Sequence, residues 1–103
     1  MISKDKKTAK KKVRISDSTS QFKKDWKSLT QSGKHDMGRL KEAMLLLIAN
    51  NRPMSKEWCD HQLKGDLADH RELHVKGDLI LIYRLDGDDE IIFVRVGSHA
   101  QLF

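Results

Sequence analysis

Apolar positions change their spacing twice along this chain, and each change marks an element boundary. Val13 and Ile15 alternate with Lys12, Arg14 and Ser16, the period of a short strand. Phe22, Trp26 and Leu29 then fall at i, i+4 and i+7, with Lys23, Lys24 and Lys27 outside the stripe, so the spacing predicts a helix with one apolar face. Asp17 and Ser18 offer capping oxygens before it, Ser18 and Gln21 stand at capping-box spacing, and Ser32-Gly33 stops it. A second helix opens near His35-Asp36 and runs through Met37, Leu40, Ala43, Met44, Leu47 and Ile48. Leu45 and Leu46 widen its apolar face, as expected of the main core helix. Asn50-Asn51-Arg52-Pro53 ends it, because a residue before proline is pushed away from helical dihedrals.

Beyond Trp58 the period returns to two. From His70 to Val75, Leu73 and Val75 alternate with Glu72 and His74. Leu79 to Leu85 is apolar on both faces, as a central strand covered on both sides must be. Asp86-Gly87-Asp88-Asp89 reads as a hairpin turn, Ile91 to Val96 as the returning strand, and Gly97 as its end. The expected order is β-α-α-β-β-β, an α+β fold with an antiparallel helical pair packed on a small, mostly antiparallel sheet. Residues 12–103 are expected to form one domain behind a basic, flexible extension over 1–11.

Composition narrows the classes. With 103 residues the core is small, and a separate cofactor domain has no room. The longest apolar run, Ala43 to Ala49, is far short of the roughly 20 residues a spanning helix needs, so no membrane partner is expected. No apolar segment of secretory type follows the basic start, and one cysteine, Cys59, allows no internal disulfide and no four-cysteine zinc module, so a cytoplasmic location is expected. The net charge of +5 is uneven: residues 1–30 carry ten Lys/Arg against three Asp (+7), and residues 31–103 carry ten against twelve Asp/Glu (−2). Attraction to polyanions is therefore concentrated at one end, where a phosphate-contacting role and a plain solvated tail stand equal.

Four of the five histidines lie in the second half, at His61, His70, His74 and His99. His61 precedes the sheet, His74 lies one short turn before Asp78, and His99 follows the last strand, so pairing could bring these ends together. Several chemistries remain open on residues alone. A metal could recruit Cys59, His61, His74, Asp78 and His99, but the spacing matches no local ligand motif. Nothing marks the Cys59 thiol as an activated nucleophile. The histidines could also line a polar sheet face with no chemistry. Acid–base cleavage of a phosphodiester needs a base for the ribose 2′-OH, an acid for the departing 5′ oxygen, and cations beside the phosphorus oxygens. Histidines with a carboxylate supply the first two, and Lys64, Arg71 and Arg95 could supply the third. The other singled-out residues read simply: His70 as a solvent-facing strand residue, Trp26 and Trp58 as packing, Tyr83 as core, and Cys59 as a small half-buried side chain.

The stretch from Cys59 to Leu85 (CDHQLKGDLADHRELHVKGDLILIYRL), followed by Val94 to Phe103 (VRVGSHAQLF), resembles the YafQ branch of the RelE/ParE toxin superfamily. Three separated blocks match in order: Asp60 to Gly65, Arg71 to Tyr83, and Arg95 to Phe103. The resemblance implies a toxin of a type II toxin–antitoxin pair, a metal-independent endoribonuclease that cuts mRNA on the ribosome and needs no cofactor. It implies His61, His74, Asp78 and His99 as the catalytic set, with Asp78 and His74 on the 2′-OH side and His99 as the acid. Phe103 would hold the RNA by stacking, Arg95 would sit near the scissile phosphate, and Lys64 and Arg71 would be further basic substrate contacts. The implied partners are mRNA, the ribosome and a cognate antitoxin, acidic where it covers the basic face, which would also carry the chain to operator DNA. Gly77 and Leu79 stand where the family often has proline and an aromatic, and an aromatic common after the Leu-Lys-Gly step is missing near Leu67-Ala68. Two alternatives remain: a ParE-like gyrase-directed toxin, disfavoured by the intact histidine set, and a non-catalytic nucleic-acid-binding module.

Overall fold

The structure is a computed structural model that describes residues 12–51 and 53–103, so the lysine-rich extension over 1–11 lies outside the described residues. Its elements are β1 (Ile15–Ser18), α1 (Ser20–Ser32), α2 (Met37–Ala49), β2 (His61–Gln62), β3 (Arg71–Lys76), β4 (Leu79–Asp86), β5 (Glu90–Ser98) and α3 (His99–Leu102), with single 3-10 turns at Lys56–Trp58 and Gly65–Leu67. The sheet order is β1-β5-β4-β3-β2, antiparallel throughout except that β1 runs parallel to β5. This is the expected α+β architecture, enlarged by a two-residue edge strand and a terminal helical turn.

Both long helices pack on one face, where Phe22, Leu29, Leu40, Ala43 and Leu47 meet Leu73, Val75, Leu81, Tyr83, Phe93 and Val96 in a single core. Burying a Leu- or Phe-sized side chain contributes about 1.5–3 kcal/mol. Alternation along β3 and β4 sends Glu72, His74, Ile80 and Ile82 to the other face, with Glu72 opposite Ile82 and His74 opposite Ile80. Ile80 and Ile82 are buried there, outside the helix-side core. That second face carries His74 and, through its pairing opposite Glu72, His61.

Several local expectations are corrected. The first strand begins at Ile15 rather than including Val13, and both side chains are exposed. Residues 12–14 commit their hydrogen bonds to the end of α2 instead: the Arg14 amide and guanidinium donate to Ile48 and Leu47 carbonyls, and Asn50 donates to the Lys12 carbonyl. The cap of α1 is Thr19, not Ser18, since Ser18 is paired with Phe93 in β1. Thr19 Oγ1 accepts from the Phe22 amide at 2.9 Å and donates to the Val94 carbonyl at 2.7 Å, joining helix to sheet. Asn50 itself ends α2, in a left-handed conformation that returns its amide to Leu46. Leu45 faces solvent rather than the core. Gly97 lies inside β5, which ends at Ser98.

Candidate active site

The site is assembled by strand register. His61 on β2 is opposite Glu72 on β3, and His74 lies two residues further along the same face. The Glu72 carboxylate accepts from His74 Nε2 at 3.0 Å and lies 3.6 Å from His61 Nε2, with the two rings 6.0 Å apart. Glu72 is only 6% exposed, a buried carboxylate aimed at two half-exposed imidazoles. His61 Nδ1 meets the Cys59 carbonyl at 2.8 Å. A carbonyl only accepts, so Nδ1 carries the proton and Nε2 faces the carboxylate. Cys59 is exposed rather than half-buried, and its left-handed φ of 47° turns the chain so that this carbonyl reaches the ring.

Asp78 and His99 lie at the adjacent end of the sheet, without a contact to His61, Glu72 or His74 among the described residues. Leu79 is paired with Ser98, so Asp78 and His99 flank the same register position. Ser98 caps α3 with a reciprocal capping box to Gln101, which fixes the direction His99 takes as the chain leaves the sheet. Gly97 shares its face with Ile80 and His74, and a Cβ there would stand 2.9 Å from Gln101 Oε1 and 3.4 Å from Leu102. Gln101 and Leu102 of α3 thus fold back over the face that carries His74. His74 and Gly97 lie two strands apart across β4, about 10 Å at ordinary strand spacing. Phe103 closes this helix with its ring 4.8 Å from that of His99 and remains 55% exposed. Asp78 is exposed in the β3–β4 turn and lines a cavity of about 360 Å³ with Lys34, His35, Asp36, Lys76 and Gly77.

The cations are placed differently. Arg71 points to the helix side, opposite its neighbour Glu72, and its Nε donates to Asp60 Oδ1 at 3.2 Å. The buried Tyr83 hydroxyl donates to the same oxygen at 2.7 Å, and burial together with Asp60 raises the Tyr83 pKa. Arg71 therefore belongs to a polar cluster on the far face and is not brought to the histidines. Arg95 is held in a two-pronged pair by Asp25 of α1 (2.9 and 3.0 Å). Lys64 is exposed ahead of the Gly65–Leu67 turn. His70, expected on a solvent-facing strand position, precedes β3, and its largely buried ring contacts Asp69 at 2.7 Å.

A model of the family described as "Bacterial toxin of type II toxin-antitoxin system, YafQ" matches residues 4–103. The chain belongs to the YafQ toxin family. The Escherichia coli K12 protein named "mRNA interferase toxin YafQ" is 45% identical over 83 residues, covering 81% of this chain and 88% of that protein. The crystal structure of the E. coli DinJ–YafQ toxin–antitoxin complex is similar at 42% identity, with a TM-score of 0.79, covering 88% of this chain and 98% of that one. A metal-bound toxin from Helicobacter pylori is similar at 36% identity and TM-score 0.74, covering 87% and 99% of the two chains. As a YafQ-family chain this protein is a type II toxin on the α+β scaffold expected from its strand and helix periods.

Glu72 belongs to none of the sequence candidates, although it stands two residues before His74 on one strand face. A polar residue whose strand partner and i+2 neighbour are both histidines is the signal that finds it. Ligand atoms of His61, Glu72 and His74 all lie within 4.8 Å of one another, a donor set that suits a divalent metal. Among the described residues no helix is long and apolar enough to cross a membrane.

Proposed function

We propose that this toxin is an mRNA interferase that cleaves RNA by 2′-OH attack, using His61, His74 and His99 with Glu72 and Asp78. The observation that carries this reading is the buried Glu72 carboxylate shared by His61 and His74, on the face over which Gln101 and Leu102 of the helix opened by His99 pack. A base near His74 and Asp78 takes the 2′-OH proton, and the 2′ oxygen attacks phosphorus. The P–O5′ bond then breaks, His99 returns a proton to the departing 5′ oxygen, and a 2′,3′-cyclic phosphate remains. Glu72 orients both imidazoles and offsets positive charge when either is protonated, the part a carboxylate plays beside a catalytic histidine. Phe103 offers an exposed ring beside His99 for a base to stack on. Arg95 and Lys64 supply cations, and Arg71, bound to Asp60 on the far face, supports the fold and contributes to RNA only through long-range charge.

The protein is cytoplasmic in this reading, acts on the ribosome and is restrained by a cognate antitoxin with an acidic covering segment that links it to operator DNA. The DinJ complex of the E. coli relative supports an antitoxin partner. Primer extension on a reporter transcript after induction, with and without translation, tests the proposal. Cuts that appear on translated message and vanish in His99→Ala are expected, whereas toxicity through DNA damage with intact message would favour the gyrase-directed alternative. The donor set at His61, Glu72 and His74 also favours a second reading in which a metal binds there. A metal would occupy the nitrogens that otherwise exchange protons, so activity that requires an added divalent ion would replace the acid–base account.

A further inference from the structure

Arg95 is held from an unusual direction. β1 pairs with Glu90 to Phe93, and beyond that point no strand among the described residues lies beside the outer edge of β5. Helix α1 fills the gap with one carboxylate. Asp25 Oδ2 accepts from the Val96 amide at 3.1 Å and from Arg95 Nε at 2.9 Å, while Oδ1 accepts from Arg95 Nη2 at 3.0 Å. The Asp25 side chain is 10% exposed and that of Arg95 is 34% exposed. Burial pushes the Asp25 carboxyl up, but hydrogen bonds from Arg95, Gln21 and Val96 outweigh it and hold it below its ordinary range.

A guanidinium has five N–H groups, and this pair engages only the Nε–Nη2 edge. The Nη1–Nη2 fork is left over, the geometry that grips two phosphate oxygens. Arg95 also lines a cavity of about 300 Å³ together with Asp25, Ser28, Leu29, Val96 and Gln101. Gln101 belongs to α3, the helix that opens on His99 and is followed by Phe103. The cavity thus joins the clamped arginine to the helix of the proposed acid.

We infer that Asp25 is a positioning residue for RNA cleavage, clamping one edge of Arg95 so that its remaining fork faces the phosphate bound beside α3. The inference rests on the nuclease reading above. An arginine already fixed by a carboxylate loses little side-chain freedom when phosphate binds, and its orientation is set before the reaction rather than during it. The carboxylate also neutralises part of the attraction that would draw RNA non-productively to this edge.

These two effects separate in kinetics. Asp25→Asn keeps the shape and can still accept from the Val96 amide, but it loses the charge that holds Arg95. On a minimal RNA its kcat is expected to fall at least tenfold while KM stays level or drops. In an Arg95→Ala background the same change should alter kcat by less than about threefold, because the group it positions is gone. Full-rate cleavage by Asp25→Asn, or an equal loss in both backgrounds, overturns the inference while leaving the nuclease reading intact. A wild-type chain that cleaves no RNA overturns both.

Discussion

Replacing Glu72 by Gln separates the chemistry of this face from its stability. The carboxylate lies 3.0 Å from His74 Nε2 and 3.6 Å from His61 Nε2 and is almost wholly buried. A hydrogen bond to a charged partner contributes about 1.5–3 kcal/mol. If that interaction is strongest when an imidazole carries the transferred proton, losing it lowers the single-turnover rate by about ten- to a hundredfold. The fold responds in the opposite sense. A buried carboxylate carries a desolvation cost that a neutral amide of the same shape avoids, so stability should change by no more than about 1 kcal/mol. For a domain of this size that is about 4–8 °C in Tm. The assay is cleavage of a labelled minimal RNA with protein in excess, beside a thermal melt followed by circular dichroism. A full-rate Glu72→Gln protein would refute the orienting role, and a rate loss matched by a collapse in Tm would assign Glu72 to the fold instead.

Other perturbations test neighbouring parts of the account. Gly97→Ala brings a methyl to 2.9 Å from Gln101 Oε1, the mobile tip that accepts from the Ser98 amide, and should loosen that capping box, lowering cleavage severalfold with little change in the melt of the sheet. Phe103→Ala should weaken RNA binding severalfold and leave Tm within about 2 °C, since the ring is mostly exposed. Tyr83→Phe removes a buried donor to Asp60 and should cost about 1–2 kcal/mol by urea unfolding without changing cleavage by the folded protein. The lowered pKa of Asp25 gives a pH signature. Its stabilisation is full above the ordinary carboxylate range and is lost as pH falls through the depressed value, so wild type should exceed Asp25→Asn in stability at neutral pH and converge with it in acid.

Long periods were the legible part of the sequence. The stripe of Phe22 and Leu29, the α2 face through Leu40, Ala43 and Leu47, and the doubly buried run from Leu79 to Tyr83 all fold as their spacing predicts, because burial enforces each repeat. Short elements were decided by single hydrogen bonds that no period records. Arg14 is diverted to the end of α2, Thr19 displaces Ser18 because strand pairing consumes the serine, and β2 is two residues whose pairing with β3 brings His61 opposite Glu72. The terminal helix had a readable signal in Ser98-His99-Ala100-Gln101, a capping-box pattern, but a four-residue helix leaves no periodicity. The histidines and Asp78 stood out by residue type and motif. Glu72 did not, since its importance comes from burial across a strand pair, and the engagement of Arg71 and Arg95 with Asp60 and Asp25 depends on partners 11 and 70 residues away.

In the proposed reaction, imidazoles and a carboxylate move the protons of 2′-OH attack without a metal. The most direct measurement is the chemistry of the RNA ends produced by the purified chain on a minimal RNA in EDTA at fixed ionic strength. A 2′,3′-cyclic phosphate facing a 5′-hydroxyl, with both products absent in His99→Ala, is the expected result. Cleavage that stops in EDTA and returns with a divalent ion, or that leaves a 5′-phosphate, would contradict it.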